Sequence, residues 1–367
     1  MSKKTMLALS FAVLFGAGWG AAYAQVQTQS PVFGTVLEYP TTGCGGAVLQ
    51  VPLSGQQLLP KTGLVPSTSV SFYGQAAALH VKWLTTLQCK HTGITHELVP
   101  AAGAVNTANI SNDYISANWS GYQIANTAQF AQSGWTIPTV VKPNPGYGTG
   151  AGLNGYYSST WTGIGGGVNA GSGPLIQSGS TQDLVAGATT YYFWYEVVGG
   201  PTDTGGEVQL CSQGSGCLAA NPGDLAGSAS LWIPDPNPNN PGMGQVTLGV
   251  CDFTVGGPCA NLIIDSDRYT TPTPGNTTEW IVEAPSYNGN ILALADFDSA
   301  TFVNACWSPA YNNGTGSCYT IAQGSYPGAI SIENTVFGIY QYLASPDSLN
   351  ASGNGFTDYY IQPEKGN

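Results

Sequence analysis

From about residue 113 onward, the chain is a succession of short segments rich in Val, Ile, Thr, Tyr and Trp, separated by clusters of Gly, Pro, Asn and Ser. β-Branched and aromatic residues favour strands, whereas Gly, Pro, Asn and Ser favour turns. No stretch has the periodicity of an amphipathic helix, and no internal repeat is evident. The pattern therefore predicts an all-β fold, a β-sandwich of two packed antiparallel sheets of the concanavalin or jelly-roll kind.

The predicted strands lie in one large domain that extends from residue 113 to residue 367. A domain of this length is acceptable for a single all-β unit. Strands are predicted, for example, at residues 117–124, 130–137, 159–164, 190–198, 228–233, 245–253, 279–282, 291–297, 336–343 and 356–361.

Residues 1–24 have the three parts of an export signal peptide. Lys3 and Lys4 supply the positive start, residues 6–17 form an apolar run too short to span a bilayer, and Ala22-Tyr23-Ala24 is a cleavage site with small residues. The alternative is an N-terminal membrane anchor. We expect a protein secreted to an extracellular or periplasmic, acidic environment, with no membrane as a partner.

Charge is distributed unevenly along the chain. Residues 113–367 contain three Lys and Arg against 18 Asp and Glu, a formal net charge of −15, whereas all three histidines lie earlier. Nucleic acid is excluded as a partner because phosphate binding requires Lys and Arg. Because the domain has few basic residues, it has few ion pairs to lose when its carboxylates are protonated, which favours activity at acid pH. A halophilic or surface-layer protein would share this composition. The same split separates residues 25–112 from the large domain.

Eight cysteines in an exported chain indicate disulfide bonds. Spacing along the chain favours pairs between neighbours, namely Cys44–Cys89, Cys211–Cys217, Cys251–Cys259 and Cys306–Cys318. There is no Cys-x-x-Cys motif and no histidine in the large domain, so no zinc site and no cofactor are predicted. A calcium site built only from carboxylates remains open.

Carboxyl and amide side chains remain as candidates for catalysis in the large domain. Serine and cysteine hydrolases use a histidine base, which this domain lacks, and neither Lys142 nor Lys365 lies in a recognisable Ser-Lys motif. A carboxylate can take a proton from water and return it to a leaving group if its pKa suits the working pH. Amide hydrolysis also needs a donor for the developing oxyanion, and a side-chain amide can be a neutral one.

Six motifs occur in order along this domain. They are Asn118-Trp119-Ser120-Gly121-Tyr122, Trp135-Thr136-Ile137-Pro138-Thr139-Val140, Trp161-Thr162-Gly163-Ile164-Gly165-Gly166, Leu175-Ile176-Gln177-Ser178-Gly179, Trp194-Tyr195-Glu196 and Glu279-Trp280-Ile281-Val282-Glu283-Ala284-Pro285, followed by Asp296-Phe297 and Ala300-Thr301-Phe302. In this order they resemble the motifs of the glutamic peptidases (eqolisins, peptidase family G1), especially the bacterial members. Each motif alone is weak, but the ordered set is specific.

The resemblance implies a secreted acid endopeptidase made as a zymogen, with residues 25–112 as its propeptide and the active site on a concave sheet face. It implies that Glu283 is the general base that activates water and then protonates the leaving amine. It implies that Gln177 positions the water and stabilises the tetrahedral intermediate. Supporting or substrate-binding roles are expected for Trp119, Trp161, Glu196 and Glu279. We expect a monomer that acts on protein or peptide substrates.

Strand alternation puts Glu279, Ile281 and Glu283 on one face, and two acids around one Ile indicate a cleft or solvent rather than a core. The sequence departs from the family at Gly165, where many members have Asp, and at Val197-Val198, where fungal members have aromatic residues. The first difference is expected to weaken a hydrogen bond that supports the site. The second is expected to alter the substrate pocket.

Two other functions remain open at this point. A glycosidase would pair Glu283 with Glu196 or Glu279 and would leave Gln177 without a role. A carbohydrate-binding sandwich without catalysis would use surface aromatic residues such as Tyr156, Tyr157 and Trp161.

Opposite net charges suggest that residues 25–112 lie over the acidic cleft of the large domain. The hypothesis is that Lys82 or Lys90 pairs with Glu283 and blocks water, that acid pH releases the segment, and that the chain is cut between about residues 101 and 113. The alternative is a small independent domain that has no inhibitory role.

Overall fold

The computed structural model describes residues 26–30, 34–40, 47–52, 72, 75–76, 79, 81–84, 87–101, 113–147, 153–211, 217–254, 257–264, 269–310 and 318–365. The predicted signal peptide and the predicted cleavage region after residue 101 lie outside these residues. No helix in the described part of the chain is long and apolar enough to cross a membrane.

Most strands of the large domain belong to two layers, and all strands are numbered in chain order. The layer called here the site sheet contains β8 (Trp119–Ile124), β10 (Gly155–Ile164), β11 (Leu175–Val185), β12 (Ala188–Val198), β13 (Val208–Leu210), β18 (Thr278–Glu283) and β23 (Gly328–Val336). The layer called here the back sheet contains β9 (Phe130–Thr136), β14 (Leu225–Pro234), β15 (Met243–Asp252), β16 (Pro258–Ile264), β21 (Ser299–Ser308) and β25 (Phe356–Tyr360).

The remaining elements extend or connect these layers. They are β1 (Val26–Ser30), β2 (Gly34–Pro40), β3 (Ala47–Pro52), β4 (Lys82–Trp83), β5 (Cys89–His91), β6 (Ile94–Thr95), β7 (Tyr114–Ser116), β17 (Thr271–Pro272), β19 (Ser286–Tyr287), β20 (Asn290–Ile291), β22 (Tyr319–Thr320), β24 (Ile339–Pro346) and a 3-10 helix at Ile321–Gln323. The site sheet has the order β13-β12-β11-β10-β18-β8-β23, and the back sheet has the order β25-β21-β9-β14-β15-β16, all antiparallel. Strand β24 pairs with both β23 and β25 and joins the two layers along one edge.

The two layers pack face to face around an aromatic core. Trp135 of β9 donates from Nε1 to Ser180 Oγ of β11 at 3.0 Å, and Trp280 of β18 donates from Nε1 to the Gln132 carbonyl of β9 at 3.0 Å. Burying an indole costs little free energy when its N–H finds a partner in this way. The all-β sandwich predicted from the sequence is confirmed.

Alternation along β18 is as predicted. Trp280 and Val282 point into the core between the layers, while Ile281 belongs to a separate apolar cluster on the outer face of the site sheet. Glu279 and Glu283 share that outer face and are both fully buried. Such a face can exclude water only if another part of the chain covers it.

The N-terminal segment supplies that cover. Strand β5 adds to β13 at the edge of the site sheet, and the chain then crosses the outer face of the sheet over residues 92–99. Further upstream, Phe72, Ala76, Leu79 and Val81 pack in a cluster against the outer side of the back sheet. The described residues of the predicted propeptide therefore pair with and pack on the large domain.

Two strand predictions are wrong. Residues 336–343 form a hairpin rather than one strand, because Phe337 and Gly338 both have positive φ, 54° and 78°, and reverse the chain between β23 and β24. Residues 291–297 are mostly irregular beyond β20. The ten ranges given as examples do not include β11, whose first half is rich in Gly and Ser.

The predicted disulfides Cys211–Cys217, Cys251–Cys259 and Cys306–Cys318 are confirmed. Cys89 is also disulfide-bonded, and its predicted partner Cys44 lies outside the described residues. Each of the three bonds joins two cysteines of the large domain that are close together in sequence.

Candidate active site

Gln177 lies on β11, fully buried, on the outer face of the site sheet. It is opposite Glu196 of β12 in the strand register, and its Nε2 donates to Glu196 Oε2 at 2.9 Å. The same Nε2 donates to the backbone carbonyl of His96 at 2.8 Å. Its Oε1 has no hydrogen-bond partner among the described residues. Gln177 thus offers one donor to a peptide carbonyl and keeps an acceptor free.

Glu283 lies at the end of β18 on the same outer face. Its Oε1 accepts from Asn118 Nδ2 at 2.9 Å, and its Oε2 accepts from Trp161 Nε1 at 2.8 Å. Oε2 also lies 3.1 Å from His96 Nδ1. Two neutral donors therefore fix the orientation of the carboxylate, and a third contact comes from the N-terminal segment.

His96 brings together the contacts of Gln177 and Glu283. Its backbone N–H donates to Glu196 Oε2 at 3.0 Å, and its ring stacks on Trp194 with centroids 3.9 Å apart and 5° between the planes. The other ring nitrogen, Nε2, lies 2.8 Å from Glu207 Oε2. The imidazole therefore lies between two carboxylates, both fully buried.

The charge state of His96 follows from this position. Burial alone would lower its pKa, but the charges of Glu283 and Glu207, with hydrogen bonds to both, raise its pKa from 6.5 to about 10. The ring is therefore an imidazolium at neutral pH. The hypothesis that Lys82 or Lys90 pairs with Glu283 is wrong, because both lysines are exposed while the contact of Glu283 is made by His96.

Several further acids are buried around this histidine. Burial raises the pKa of Glu196 to about 8, the His96 charge opposes that shift, and the charges of Glu283 and Glu207 add to it. Burial and the charge of Glu207 raise the pKa of Asp183 well above its ordinary value. Burial likewise raises the pKa of Glu283, against the charge and hydrogen bond of His96. Such shifts are typical of groups that exchange protons in catalysis.

Glu279 is not part of this contact network. It lies four residues before Glu283 on β18, next to Gly167 and Thr277, and none of the hydrogen bonds of Gln177 or Glu283 to described residues involves it. Burial raises its pKa well above the ordinary value, and hydrogen bonds from Thr277 and the Gly167 backbone only partly oppose this. This position suits a structural support of the loop at Gly167.

The two tryptophans predicted to support the site have different positions. Both are fully buried in the outer cluster and meet edge to face with centroids 4.8 Å apart. Trp161 donates from Nε1 to Glu283 Oε2, and the Trp119 indole, which packs against Trp161, also lowers the pKa of Glu283. Both indoles therefore support the ionised form of the carboxylate.

The two departures from the family motifs have structural explanations. Gly165 has φ of +90°, and a Cβ there would overlap the Pro174 carbonyl oxygen, so this backbone has no room for an aspartate. Val197 points into the core between the sheets, and Val198 packs against the outer cluster. Only Val198 can therefore affect the shape of the site.

Sequence reasoning did not single out Asn118, Asp183 and Glu207, nor His96 as the residue that contacts Glu283. Asp183 is six residues after Gln177 on the same strand, so alternation would have put both on one face. Asn118 is the first residue of a quoted motif, but it was not given a role. Glu207 precedes β13, a three-residue strand that composition did not reveal.

No group of three or more His, Cys, Asp or Glu side chains within the described ranges is arranged to hold a metal ion. The side chains that meet at the site carry carboxyl, amide, indole and imidazole groups.

Comparison with known proteins links this geometry to a family. The model of the Peptidase A4 family, the glutamic peptidases of family G1, matches residues 117–211. Over these residues the chain matches the glutamic peptidases. The match includes Gln177, Glu196 and Glu207 and ends before Glu283. It supports the predicted enzyme class, a glutamic endopeptidase, over a glycosidase or a carbohydrate-binding module.

Solved structures of the same class show only a distant likeness. Scytalido-glutamic peptidase with a transition state analog inhibitor is 16% identical, with a TM-score of 0.45, over 67% of this chain and 98% of that one. Aspergilloglutamic peptidase from Aspergillus niger is 22% identical, with a TM-score of 0.41, over 56% of this chain and 99% of that one. Neither likeness is close enough to bear on the site. No curated protein matched the chain.

Proposed function

We propose that the chain is the precursor of a secreted acid endopeptidase in which Glu283 and Gln177 hydrolyse the peptide bond. The observation that carries this proposal is that one peptide segment contacts both Glu283 and Gln177. Gln177 Nε2 donates to the His96 carbonyl at 2.8 Å, and Glu283 Oε2 meets the His96 ring at 3.1 Å. A peptide carbonyl held by a neutral donor beside a carboxylate is the arrangement that amide hydrolysis needs.

In the proposed reaction, Glu283 takes a proton from water, which attacks the carbonyl carbon held at Gln177. Gln177 Nε2 stabilises the oxyanion because its donor capacity does not change with pH. Glu283 then gives the proton to the leaving amine. Asn118 and Trp161 donate to the two oxygens of Glu283 and keep the carboxylate in one orientation throughout.

We propose that residues 25–112 are the propeptide and that His96 is its inhibitory residue. The imidazolium occupies Glu283 Oε2, the oxygen that would otherwise contact water. This ion pair exists only while the carboxylates are ionised and His96 is protonated. When acid protonates Glu283, the buried imidazolium loses its counter-charge at that carboxyl, which is costly. Release of the segment and its removal by proteolysis follow.

Export is proposed from the signal at residues 1–24, whose boundaries remain a prediction. Disulfide bonds at three described pairs fit an oxidising compartment. The acidic composition of the large domain fits work at acid pH, where its carboxylates become neutral and repel one another less.

The test is hydrolysis of a denatured protein at about pH 3 to about pH 5, the range in which carboxyl groups titrate. Glu283→Gln and Gln177→Ala are each expected to reduce the rate by at least about a hundred-fold. Glu364→Gln and Gln362→Ala are matched controls on exposed residues and should keep the wild-type rate. Chelators, serine reagents and pepstatin-type inhibitors should have no effect.

Retention of more than about a tenth of the activity by Glu283→Gln or Gln177→Ala, in a variant with the wild-type circular dichroism spectrum, would remove that residue from the mechanism. Release of sugar from a polysaccharide, without release of peptides, would replace the peptidase by a glycosidase.

A further inference from the structure

The ring of His96 lies in a pocket of its own on the outer face of the site sheet. Trp194 forms one wall by stacking on the imidazole at 3.9 Å. Glu207 closes the far end, with Oε2 at 2.8 Å from His96 Nε2, and Thr181 Oγ1 donates to the same oxygen at 3.3 Å. Glu207 is fully buried, and its Oε1 has no partner among the described residues. The pocket is thus a flat slot with a carboxylate at its end.

The backbone of the segment crosses the site as an extended peptide. The Glu207 N–H donates to the Ile94 carbonyl at 2.7 Å, on the N-terminal side of His96. Asn118 Nδ2 donates to the Glu97 carbonyl at 2.8 Å, and Asn118 Oδ1 accepts from the Val99 N–H at 2.8 Å, on the C-terminal side. These bonds involve only the backbone of the segment, so a peptide of another sequence can make them equally well.

The register of that peptide fixes which side chain enters the slot. His96 is the residue whose carbonyl accepts from Gln177 and whose N–H donates to Glu196. In a substrate bound in the same way, the residue that supplies the attacked carbonyl would direct its side chain between Trp194 and Glu207. The slot therefore determines the residue on the N-terminal side of the cleaved bond.

Electrostatics decide which side chains fit this slot. Asp183 lies near Glu207 and is also fully buried, with one carboxyl oxygen unpaired among the described residues. His96 is the cation that Glu207 contacts. A neutral side chain would leave Glu207 buried without a counter-charge, whereas a cationic one replaces the imidazolium.

We propose that Glu207 is a specificity-determining residue that selects peptides with a cationic side chain immediately before the cleaved bond. The flat wall of Trp194 favours the planar guanidinium of Arg over the ammonium of Lys, because planar cations stack on an indole. An imidazolium placed like that of His96 would also contact Glu283 Oε2 and exclude water from it. The substrate class is therefore basic peptides. This inference rests on the proposed function, since it assumes that Gln177 holds the attacked carbonyl.

The test uses the processed enzyme and a set of peptides that are identical except for one position, occupied by His, Arg, Lys, Gln or Leu. At about pH 5, where carboxylates are largely ionised, we expect kcat/KM for the Arg peptide to exceed that for the Gln and Leu peptides by about tenfold or more. The Lys peptide should lie in between, and the His peptide should be cleaved slowly because an imidazolium placed like that of His96 also contacts Glu283. The products, identified by mass, should show cleavage after the varied residue.

Glu207→Gln should bring the ratio of kcat/KM for the Arg peptide to that for the Gln peptide close to one, and Glu207→Asp should retain part of the preference. Glu364→Gln, a change to an exposed acid, should leave the ratio unchanged. The wild-type enzyme gives a second measurement that does not depend on the folding of a variant. Its preference for Arg should decline as the pH falls from about 5 to about 3, the range in which carboxylates are protonated.

Outcomes separate this inference from the proposed function. Cleavage of no peptide by the wild type would contradict the peptidase itself. Cleavage without a cationic preference, or a preference that persists in Glu207→Gln or does not change with pH, would overturn the role of Glu207 alone.

Discussion

Replacement of His96 by Ala tests the inhibitory contact most directly. The change removes the imidazolium and leaves Glu283 and Glu207 without their counter-charge, so residues 92–99 are held less tightly on the site, while β5 can stay paired with β13. The precursor should therefore keep its fold but lose the block at Glu283. We expect precursor that hydrolyses peptides before it is cut.

The magnitude follows from the pKa of His96. A rise from 6.5 to about 10 means that the site favours the imidazolium over the neutral ring by about 5 kcal/mol. Removal of one partner from a buried ion pair typically costs about 3–5 kcal/mol. Because each 1.4 kcal/mol is about tenfold in an equilibrium constant, the open form of the precursor should increase by at least about a hundred-fold.

The sign of the pH effect is fixed by the direction of this shift. The pKa of His96 is raised, so its contribution to closure is complete below about 6.5 and is lost as the pH rises through about 10. On the acid side, burial raises the pKa of Glu283, so this carboxyl takes up its proton above the ordinary carboxyl range and its ion pair with His96 is lost there. The ion pair is therefore complete only while His96 is charged and Glu283 is ionised.

The assay compares precursor with processed enzyme from about pH 4 to about pH 8, the span over which carboxyl groups and histidines titrate. The ratio of the processed rate to the precursor rate cancels the pH dependence of catalysis itself. This ratio should be large near neutrality in the wild type and close to one in His96→Ala. His91→Ala is the matched control, because His91 is an exposed histidine of the same segment. A His96→Ala precursor as inactive as the wild type, with unchanged circular dichroism, would refute the reasoning.

Two other substitutions test the support of the site. Asn118→Ala removes the donor to Glu283 Oε1, so it should lower kcat by about tenfold or more and move the acid limb of the pH–rate profile to higher pH. Ser120→Ala is the control for the strand. An unchanged acid limb would contradict the role of Asn118. Gly165→Asp should lower the melting temperature more than Gly187→Asp. Both glycines have positive φ, but only at Gly165 would an added Cβ meet backbone atoms. Equal decreases of the melting temperature in calorimetry would show that crowding at Gly165 does not destabilise the fold.

The sequence predicted the fold and the face of the site because both depend on local patterns. Alternation correctly assigned Glu279 and Glu283 to one face of β18, and turn residues marked most strand ends. Residues 336–343 failed because a tight turn at Phe337 and Gly338 interrupts a run of strand-forming residues. β-Propensity records composition and is insensitive to a turn whose first residue is aromatic.

The contact partners in the site were harder to predict. Lys82 and Lys90 were proposed from charge alone, and charge does not specify which cation reaches a buried carboxylate. The path of residues 92–99 across the sheet decides it, and that path depends on the pairing of β5 with β13, more than a hundred residues apart in sequence. Glu207 was missed for the same reason, because its role depends on its contact with the ring of His96, which is distant in sequence.

The acid content of the outer face explains why the N-terminal segment carries a cation there. The buried acids on this side of the site sheet are Asp183, Glu196, Glu207, Glu279 and Glu283. The large domain has only Lys142, Arg268 and Lys365 as bases, too few to neutralise a cluster of this size. Burial raises the pKa of Glu196 to about 8 and those of Asp183 and Glu279 well above the ordinary value, so these carboxyl groups limit their mutual repulsion by binding protons. The imidazolium of His96 instead supplies a counter-charge to the two carboxylates that it contacts, Glu283 and Glu207. The N-terminal segment therefore brings to this face a cation that the large domain itself does not place there.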